Sequence, residues 1–399
     1  MTDRPERPEA DIEMRFRAVL DGLAGVHRLR RTRVFDPARQ GVLNASSNDY
    51  LGLTRHPECI RRACKYAQAF GAGSASSRLI CGTLPPHEML EEALARLKGS
   101  PAALVMGSGF QTNSSVLAAL LDPQALGGEP LIFADKLNHA SMHEGCRLAG
   151  VRQLRYRHLD MNHLESLLTK HADAPGARFI LSETVFSMDG DRADVAALAG
   201  LAERFGAFLY LDEAHAVGVL GRAGMGLAAG ADIGLRDGRA LVMGTCSKAL
   251  GSYGAYVCCS ETLREYLVNR SPGFIFSTAL PPAVLGAAQA ALELIPGMDH
   301  ERESLLANAL HLRQGLSEAG LDTAGSSTQI VPVLVGEEAH ALAAMQALEA
   351  EGILAVAVRP PTVPPGSSRL RLSLTALHTR SDVDRLIEAV PRTVRKASS

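Results

Sequence analysis

The chain contains no tryptophan, and aromatic residues make up only 5% of it. It lacks a charge excess: 41 basic residues stand against 43 acidic ones, a formal net charge of −2. That balance excludes the concentrated basic footprint of nucleic-acid binding, although a small anionic ligand needs only a local positive field. No Cys-x-x-Cys pair occurs, and the seven cysteines, at 59, 64, 81, 146, 246, 258 and 259, are odd in number and lack framework spacing. They read as reduced, buried thiols, and no metal site is expected. The most apolar stretch, Ala279 to Gly297, is interrupted by Gln289, Glu293 and prolines 281, 282 and 296. It reads as a helix that starts after the Pro pair, not as a membrane span. The polar opening Met1-Thr2-Asp3-Arg4-Pro5 has no apolar signal core, which predicts a cytoplasmic protein without a membrane partner.

What is present is an α/β pattern. At 399 residues and 46% hydrophobic content the chain can build two or three domains. Residues 11–31 predict an amphipathic helix, with Phe16, Val19, Leu20 and Leu23 at helical spacing before Arg28, Arg30, Arg31 and Arg33. The plain reading is an arm, over 1–45, packed on the main body. Short apolar runs then recur at Ala102–Met106, Leu131–Ala134, Gln153–Tyr156, Arg178–Ser182, Ala207–Leu211, Ala240–Met243 and Ala255–Cys259. Helical stretches at 58–70, 87–98, 110–121, 139–149, 162–171 and 193–205 precede or separate them. Seven such runs predict a mostly parallel sheet with helices on both faces over 46–282. Ligands of such sheets lie at the carboxyl ends of the strands. A long helix over 283–320, strands near 330–335, 353–357 and 369–374, and a last helix at 380–390 predict a smaller α+β domain over 283–399.

Lys248, in Thr245-Cys246-Ser247-Lys248-Ala249-Leu250-Gly251, lies 36 residues after Asp212, in Leu209-Tyr210-Leu211-Asp212-Glu213-Ala214-His215. A lysine able to form an imine and a carboxylate able to keep a pyridine nitrogen protonated are the minimum kit for pyridoxal phosphate (PLP) chemistry. Asp212 ends an apolar run, where an acid otherwise only caps a turn. His215 is within sequence reach of the cofactor's phenolic oxygen, and so is Ser187, a turn residue in the alternative reading. Gly107-Ser108-Gly109-Phe110 opens a helix, where free N–H groups bind phosphate. Thr245 and Ser247 add hydroxyl donors. In Asn138-His139-Ala140-Ser141, His139 has the shape to stack on a pyridine ring; alternatively Asn138 caps the helix and His139 is a bystander. Arg359, in Arg359-Pro360-Pro361-Thr362-Val363-Pro364-Pro365, suits a substrate carboxylate. Arg369 and Arg371 alternate along a strand and read as a solvated or salt-bridged face.

Six segments in order carry a family resemblance: Ser46 to Leu53, Asn138 to Ser141, Val185 to Asp191, Asp212 to His215, Thr245 to Lys248 and Phe276-Ser277-Thr278. From about residue 20 to 390 the chain resembles the α-oxoamine synthases, fold-type I PLP enzymes that condense an amino acid with an acyl thioester and lose CO2. The tail Arg359 to Pro364, followed by Arg369-Leu370-Arg371-Leu372-Ser373-Leu374-Thr375-Ala376, is similar to members that use L-alanine and a pimeloyl thioester. The resemblance implies Lys248 as the imine lysine, Asp212 on the ring nitrogen and His139 on the ring face. It further implies His215 and Ser187 at the phenolic oxygen, and Gly109, Phe110 and Thr245 at the phosphate. Asn48 and Arg359 would hold the amino-acid carboxylate, and Arg30 and Thr362 would touch substrate. A homodimer with shared sites is implied, in which Thr278 reaches the partner's phosphate. One departure stands out. Ala75-Ser76 replace the two glycines usual in relatives, which predicts a narrower site near the amino acid or the partner chain.

Overall fold

The computed structural model describes residues 12–36 and 41–398. Its centre is a seven-stranded sheet in the order Ala102–Met106, Ala255–Cys259, Ala240–Thr245, Ala207–Asp212, Arg178–Glu183, Leu131–Asp135, Gln153–Tyr156. All seven strands expected from the sequence are present. The Ala255–Cys259 strand runs antiparallel to both neighbours, and the other pairs are parallel. The central strands read as near-continuous apolar runs because both faces are buried. One face packs a cluster with Leu117, Met142, Leu181, Tyr210 and Met243. The other packs Leu164, Ile180, Leu198, Leu209 and Leu211. No helix among the described residues is long and apolar enough to cross a membrane.

The helices start where side chains can satisfy their free N–H groups. Ser108 accepts from Gln111, Asp160 from His163, Asp194 from Ala197 and Ser260 from Leu263. Proline opens others, at Pro57, Pro85 and Pro282. Several expected boundaries differ: the helix expected over 11–31 ends at Gly25, and the strand expected over 353–357 is two, Ile353–Leu354 and Val356–Val358. The helix expected over 283–320 is two, Pro282–Leu294 and Asp299–Glu318, joined by a 3-10 turn over Ile295–Gly297. Pro296 lacks the N–H that would continue the helix and its ring clashes with the preceding turn. Conversely, the last helix runs through Pro391 as Arg380–Ser398. Its buried face of Val383, Leu386, Val390 and Val394 outweighs one lost hydrogen bond.

The C-terminal part is a three-stranded antiparallel sheet, Val356–Val358, Ser368–Ser373, Ile330–Gly336, with Ser368–Ser373 in the middle. Leu43–Asn44 adds a short parallel pair with Ile353–Leu354. One apolar cluster runs from Leu43 through Leu250 and Leu285 to Val394, so the large and small sheets share packing. The amphipathic segment forms the helix Ile12–Gly25, but none of its residues is buried. Phe16, Val19, Leu20 and Leu23 are exposed. The expected packing of this helix on its own chain does not occur. Ala75 has φ 58°, in the left-handed region that favours glycine. The alanine there carries steric strain that the usual glycine would not.

Candidate active site

Strand alternation assembles the site on one face of the sheet. Phe179 and Leu181 point to the face bearing the helix Gly109–Leu120, and Glu183 follows at the same period of two. Tyr210 and Met243 share that face, so Asp212 and Thr245 do as well. Glu183 and Asp212 are register partners on adjacent parallel strands. A cavity of about 190 Å³ opens at these strand ends. Gly109, Phe110, His139, Asp212, His215, Thr245 and Lys248 line it, together with Asn113, Glu183 and Ser247. Eight of the residues singled out in the sequence, Ser247 included, thus meet in one place.

Lys248 sits in a loop closed by the Gly251 N–H bonded to the Lys248 carbonyl at 2.9 Å. Gly251 has φ 62°, and a Cβ there would lie 2.4 Å from the Thr54 nitrogen, so only glycine fits. The Lys248 Nζ is 2.8 Å from His215 Nε2. Burial pushes its ammonium down to about 8, against the opposing pull of Asp212 and Glu183. The amine is therefore poised to react near neutral pH. His215 is pushed well below its ordinary value by burial and by the nearby Lys248 and Arg371 charges. It is neutral, with Nε2 accepting from Lys248 and Nδ1 held at 2.6 Å by the Tyr50 hydroxyl.

Asp212 is buried. Its Oδ1 accepts from the Ala214 amide at 2.8 Å and its Oδ2 from Asn113 Nδ2 at 2.7 Å. Burial, and then the Asp212 charge, hold the Glu183 carboxyl well above its usual range. Ser108 caps the helix bearing Gly109 and Phe110, and first-turn N–H groups have no intrahelical acceptor. A Cβ on Gly109 would meet only Met243 Cε, at 3.6 Å. The Thr245 and Ser247 hydroxyls lie 2.7 Å apart beside this helix start. A buried reactive amine, a buried carboxylate and a cup of amides and hydroxyls fit a phosphorylated pyridine aldehyde. Among the described residues no group of acidic, histidine and cysteine side chains could hold a metal. All seven cysteines are free, and Cys64 and Cys81 are exposed rather than buried.

His139 itself, not Asn138, caps the helix Ala140–Leu148; the Asn138 amide goes to the Leu181 carbonyl at 2.9 Å. Ser187 does not line the cavity; its carbonyl accepts from Arg371 Nε at 2.5 Å. Thr278 is also outside the cavity, exposed, and bridged to Ser77.

Asn48 and Arg359, expected together at the amino-acid carboxylate, have separate partners. The Asn48 Oδ1 accepts from Arg371 at 3.2 Å and from Tyr50 at 3.1 Å. Arg359 instead donates to the His27 carbonyl of the arm. Arg371 is no solvated face, because its strand is the middle one of the small sheet and is buried throughout. Arg369 beside it is buried in an ion pair with Asp189. Arg30 does meet Thr362, at 3.1 Å. Arg30 and Arg359 border a larger cavity, of about 920 Å³, between the arm and the small sheet.

The sequence thus assigned no role to Asn113, Ser141, Tyr50 or Glu183, and it offered Arg371 only as part of a solvated or salt-bridged face. One of these had a signal: Asn113 lies one helical turn after Gly109 and meets the hydroxyl of Tyr210, two residues before Asp212.

A model of the family described as aminotransferase class I and II matches residues 40–390. A relative from Magnetococcus marinus named putative 8-amino-7-oxononanoate synthase is 58% identical over 376 residues, covering 94% of this chain and 93% of the relative. An 8-amino-7-oxononanoate synthase of Gluconacetobacter diazotrophicus is 53% identical, covering 89% of this chain and 88% of its own. Among solved structures, a serine palmitoyltransferase variant from S. paucimobilis with a bound PLP-myriocin aldimine superposes with TM-score 0.88. It is 27% identical and covers 98% of this chain and all of its own. An 8-amino-7-oxononanoate synthase from Francisella tularensis superposes with TM-score 0.76 at 25% identity, over 90% of this chain and all of its own. With a lysine, a carboxylate and a cup of amides and hydroxyls converging at the strand ends of a fold-type I sheet, the chain belongs to the class I and II aminotransferase family, and its cofactor is pyridoxal phosphate.

Proposed function

We propose that the chain condenses L-alanine with a pimeloyl thioester, releasing CO2 and the free thiol, and so forms 8-amino-7-oxononanoate for biotin. Relatives at 45–58% identity carry that enzyme's name. The observation that supports the reading most is a single hydrogen-bonded line from a carboxylate receptor to the reactive amine. It runs from Arg371 to Asn48, Tyr50, His215 and Lys248, over 3.2, 3.1, 2.6 and 2.8 Å. A planar guanidinium and an amide at one end bind an α-carboxylate. The other end holds the amine that exchanges with the substrate's own.

When bound, the cofactor supplies an electron sink for the carbanion formed at the amino acid's α-carbon. The residues do the rest. Asp212, charged and fixed by two donors, keeps the ring nitrogen protonated. Lys248, pushed down to about 8, takes and returns the α-proton near neutral pH. His139 covers one ring face, and Ser187 and His215 serve the phenolic oxygen. Gly109, Phe110 and Thr245 hold the phosphate. Asn48 and Arg371 fix the carboxylate, in place of the Asn48–Arg359 pair. Arg30 and Arg359, on the larger cavity, receive the acyl thioester with Thr362, which is bonded to Arg30. A second copy covers the exposed apolar face of Ile12–Gly25 and donates Thr278 to its partner's phosphate. A cytoplasmic location belongs to the same reading.

The test is thiol release from pimeloyl-CoA with alanine, glycine and serine, with the product identified by mass. Alanine is expected to give 8-amino-7-oxononanoate and the fastest release. Faster release with glycine or serine refutes the alanine assignment. Conversion of the cofactor to its amine form by alanine alone refutes the condensation.

A further inference from the structure

His139 is joined to Asp212 by a route that the cofactor does not supply. Tyr210 Oη lies 2.7 Å from Asn113 Oδ1. Asn113 Nδ2 lies 2.7 Å from Asp212 Oδ2 and 2.9 Å from Ser141 Oγ. Ser141 Oγ lies 2.6 Å from His139 Nδ1, and the Ser141 backbone N–H points at the same nitrogen at 3.3 Å. Tyr210, Asn113, Ser141 and Asp212 are all buried.

The direction of every bond in this line follows from chemistry. Asp212 is a carboxylate and only accepts, so the Asn113 edge facing it must be the NH2 group. The carbonyl edge then faces Tyr210, whose hydroxyl donates to it. The second Asn113 hydrogen goes to Ser141 Oγ. The Ser141 backbone N–H donates to His139 Nδ1, which leaves that nitrogen no hydrogen of its own, so the Ser141 hydroxyl donates to it as well. That nitrogen faces two donors, a hydroxyl and a backbone N–H, so it must be the unprotonated one. The ring hydrogen therefore sits on Nε2, which has no hydrogen-bond partner among the described residues while the ring lines the cavity.

We propose that Asn113 and Ser141 are positioning residues that lock the His139 imidazole as its Nε2–H tautomer, so that the ring presents a fixed donor to the reacting acyl group. The same Asn113 amide orients Asp212, so one side chain sets both the ring-nitrogen carboxylate and the covering imidazole. The tautomer assignment stands on the hydrogen-bond line alone; its use in catalysis rests on the condensation proposed above.

The test is imidazole nitrogen NMR of the full-length protein near neutral pH, with and without PLP. The His139 signals are assigned, among 13 histidines, as those lost in His139→Gln. A pyridine-type Nδ1 and a pyrrole-type Nε2 are expected. Ser141→Ala should mix the two tautomers and lower kcat about tenfold, with the alanine KM little changed. Ser141→Thr, which keeps the hydroxyl, should restore both readouts. A wild-type spectrum showing Nδ1–H or a doubly protonated ring overturns the proposal. So does Ser141→Ala with unchanged spectrum and kcat. Failure of the condensation assay beside an intact tautomer pattern refutes the substrate reading and supports the lock.

Discussion

The two sides of the substrate space are built by opposite means. On the sheet side, Asp212, Asn113, Ser141 and Glu183 are buried, and Asp212 and Asn113 have fixed partners within the chain. On the arm side, the helix Ile12–Gly25 buries nothing, and the segment after it is tied down by ion pairs. Arg28 meets Glu338 at 2.7 Å and Arg33 meets Glu349 at 2.6 Å, the latter with side chains 52% and 44% exposed. The sheet side is organised before any ligand arrives, as electrostatic catalysis requires. The arm side is held by partly exposed ion pairs, so substitutions on the two sides should differ in kind as well as size.

The largest effect is expected at the sheet side. Lys248→Ala should leave no measurable thiol release, because neither covalent attachment nor return of the α-proton remains; retained turnover would remove Lys248 from its role. Next, Arg371 and Arg359 should separate. Arg371→Ala should raise the alanine KM roughly 10–100-fold, the worth of a charged hydrogen bond, and leave the thioester KM nearly unchanged. Arg359→Ala should do the reverse. Initial rates with each substrate varied in turn check both, and a larger alanine effect at Arg359 would restore the Asn48–Arg359 pairing.

A third expectation concerns the loops that carry His139 and Ser187. His158 bridges Asp135 and Asp191, at 2.9 Å each, and so ties the two loops together. Burial alone would lower its pKa, but the two carboxylates outweigh burial and push it up to about 9. Since the folded value exceeds the ordinary 6.5, the stabilisation is complete below that pH and lost as pH rises through about 9. His158→Gln should therefore cost about 1–3 kcal/mol near pH 6, and the gap should close above pH ~9. Urea melts across pH check this, and a gap that widens with pH would contradict it. The smallest effect is expected in the arm, where Arg33→Ala should change stability by less than about 1 kcal/mol, again by urea melts.

The same contrast explains what could be read from the sequence. The seven strands were legible because both sheet faces are buried, which leaves uninterrupted apolar runs such as Phe208 to Leu211. Lys248, Asp212 and the Gly109 turn were legible because their chemistry needs those residue types at strand ends and helix starts. Arg371 was not, because alternation along a strand looks alike whether the polar side meets water or, as here, the loop bearing Ser187. Ser141 is bonded to Asn113 and His139, and nothing local in a helix marks a residue for such partners. Pro391 gave a false stop because packing of the distant Val383 and Val394 decides whether the helix continues.

The most direct measurement is borohydride reduction of the full-length protein loaded with PLP, followed by peptide mass mapping. A phosphopyridoxyl adduct on the peptide containing Lys248, and its absence in Lys248→Ala, are the predicted result. A protein that fixes no adduct, or fixes it at another lysine, would contradict the account.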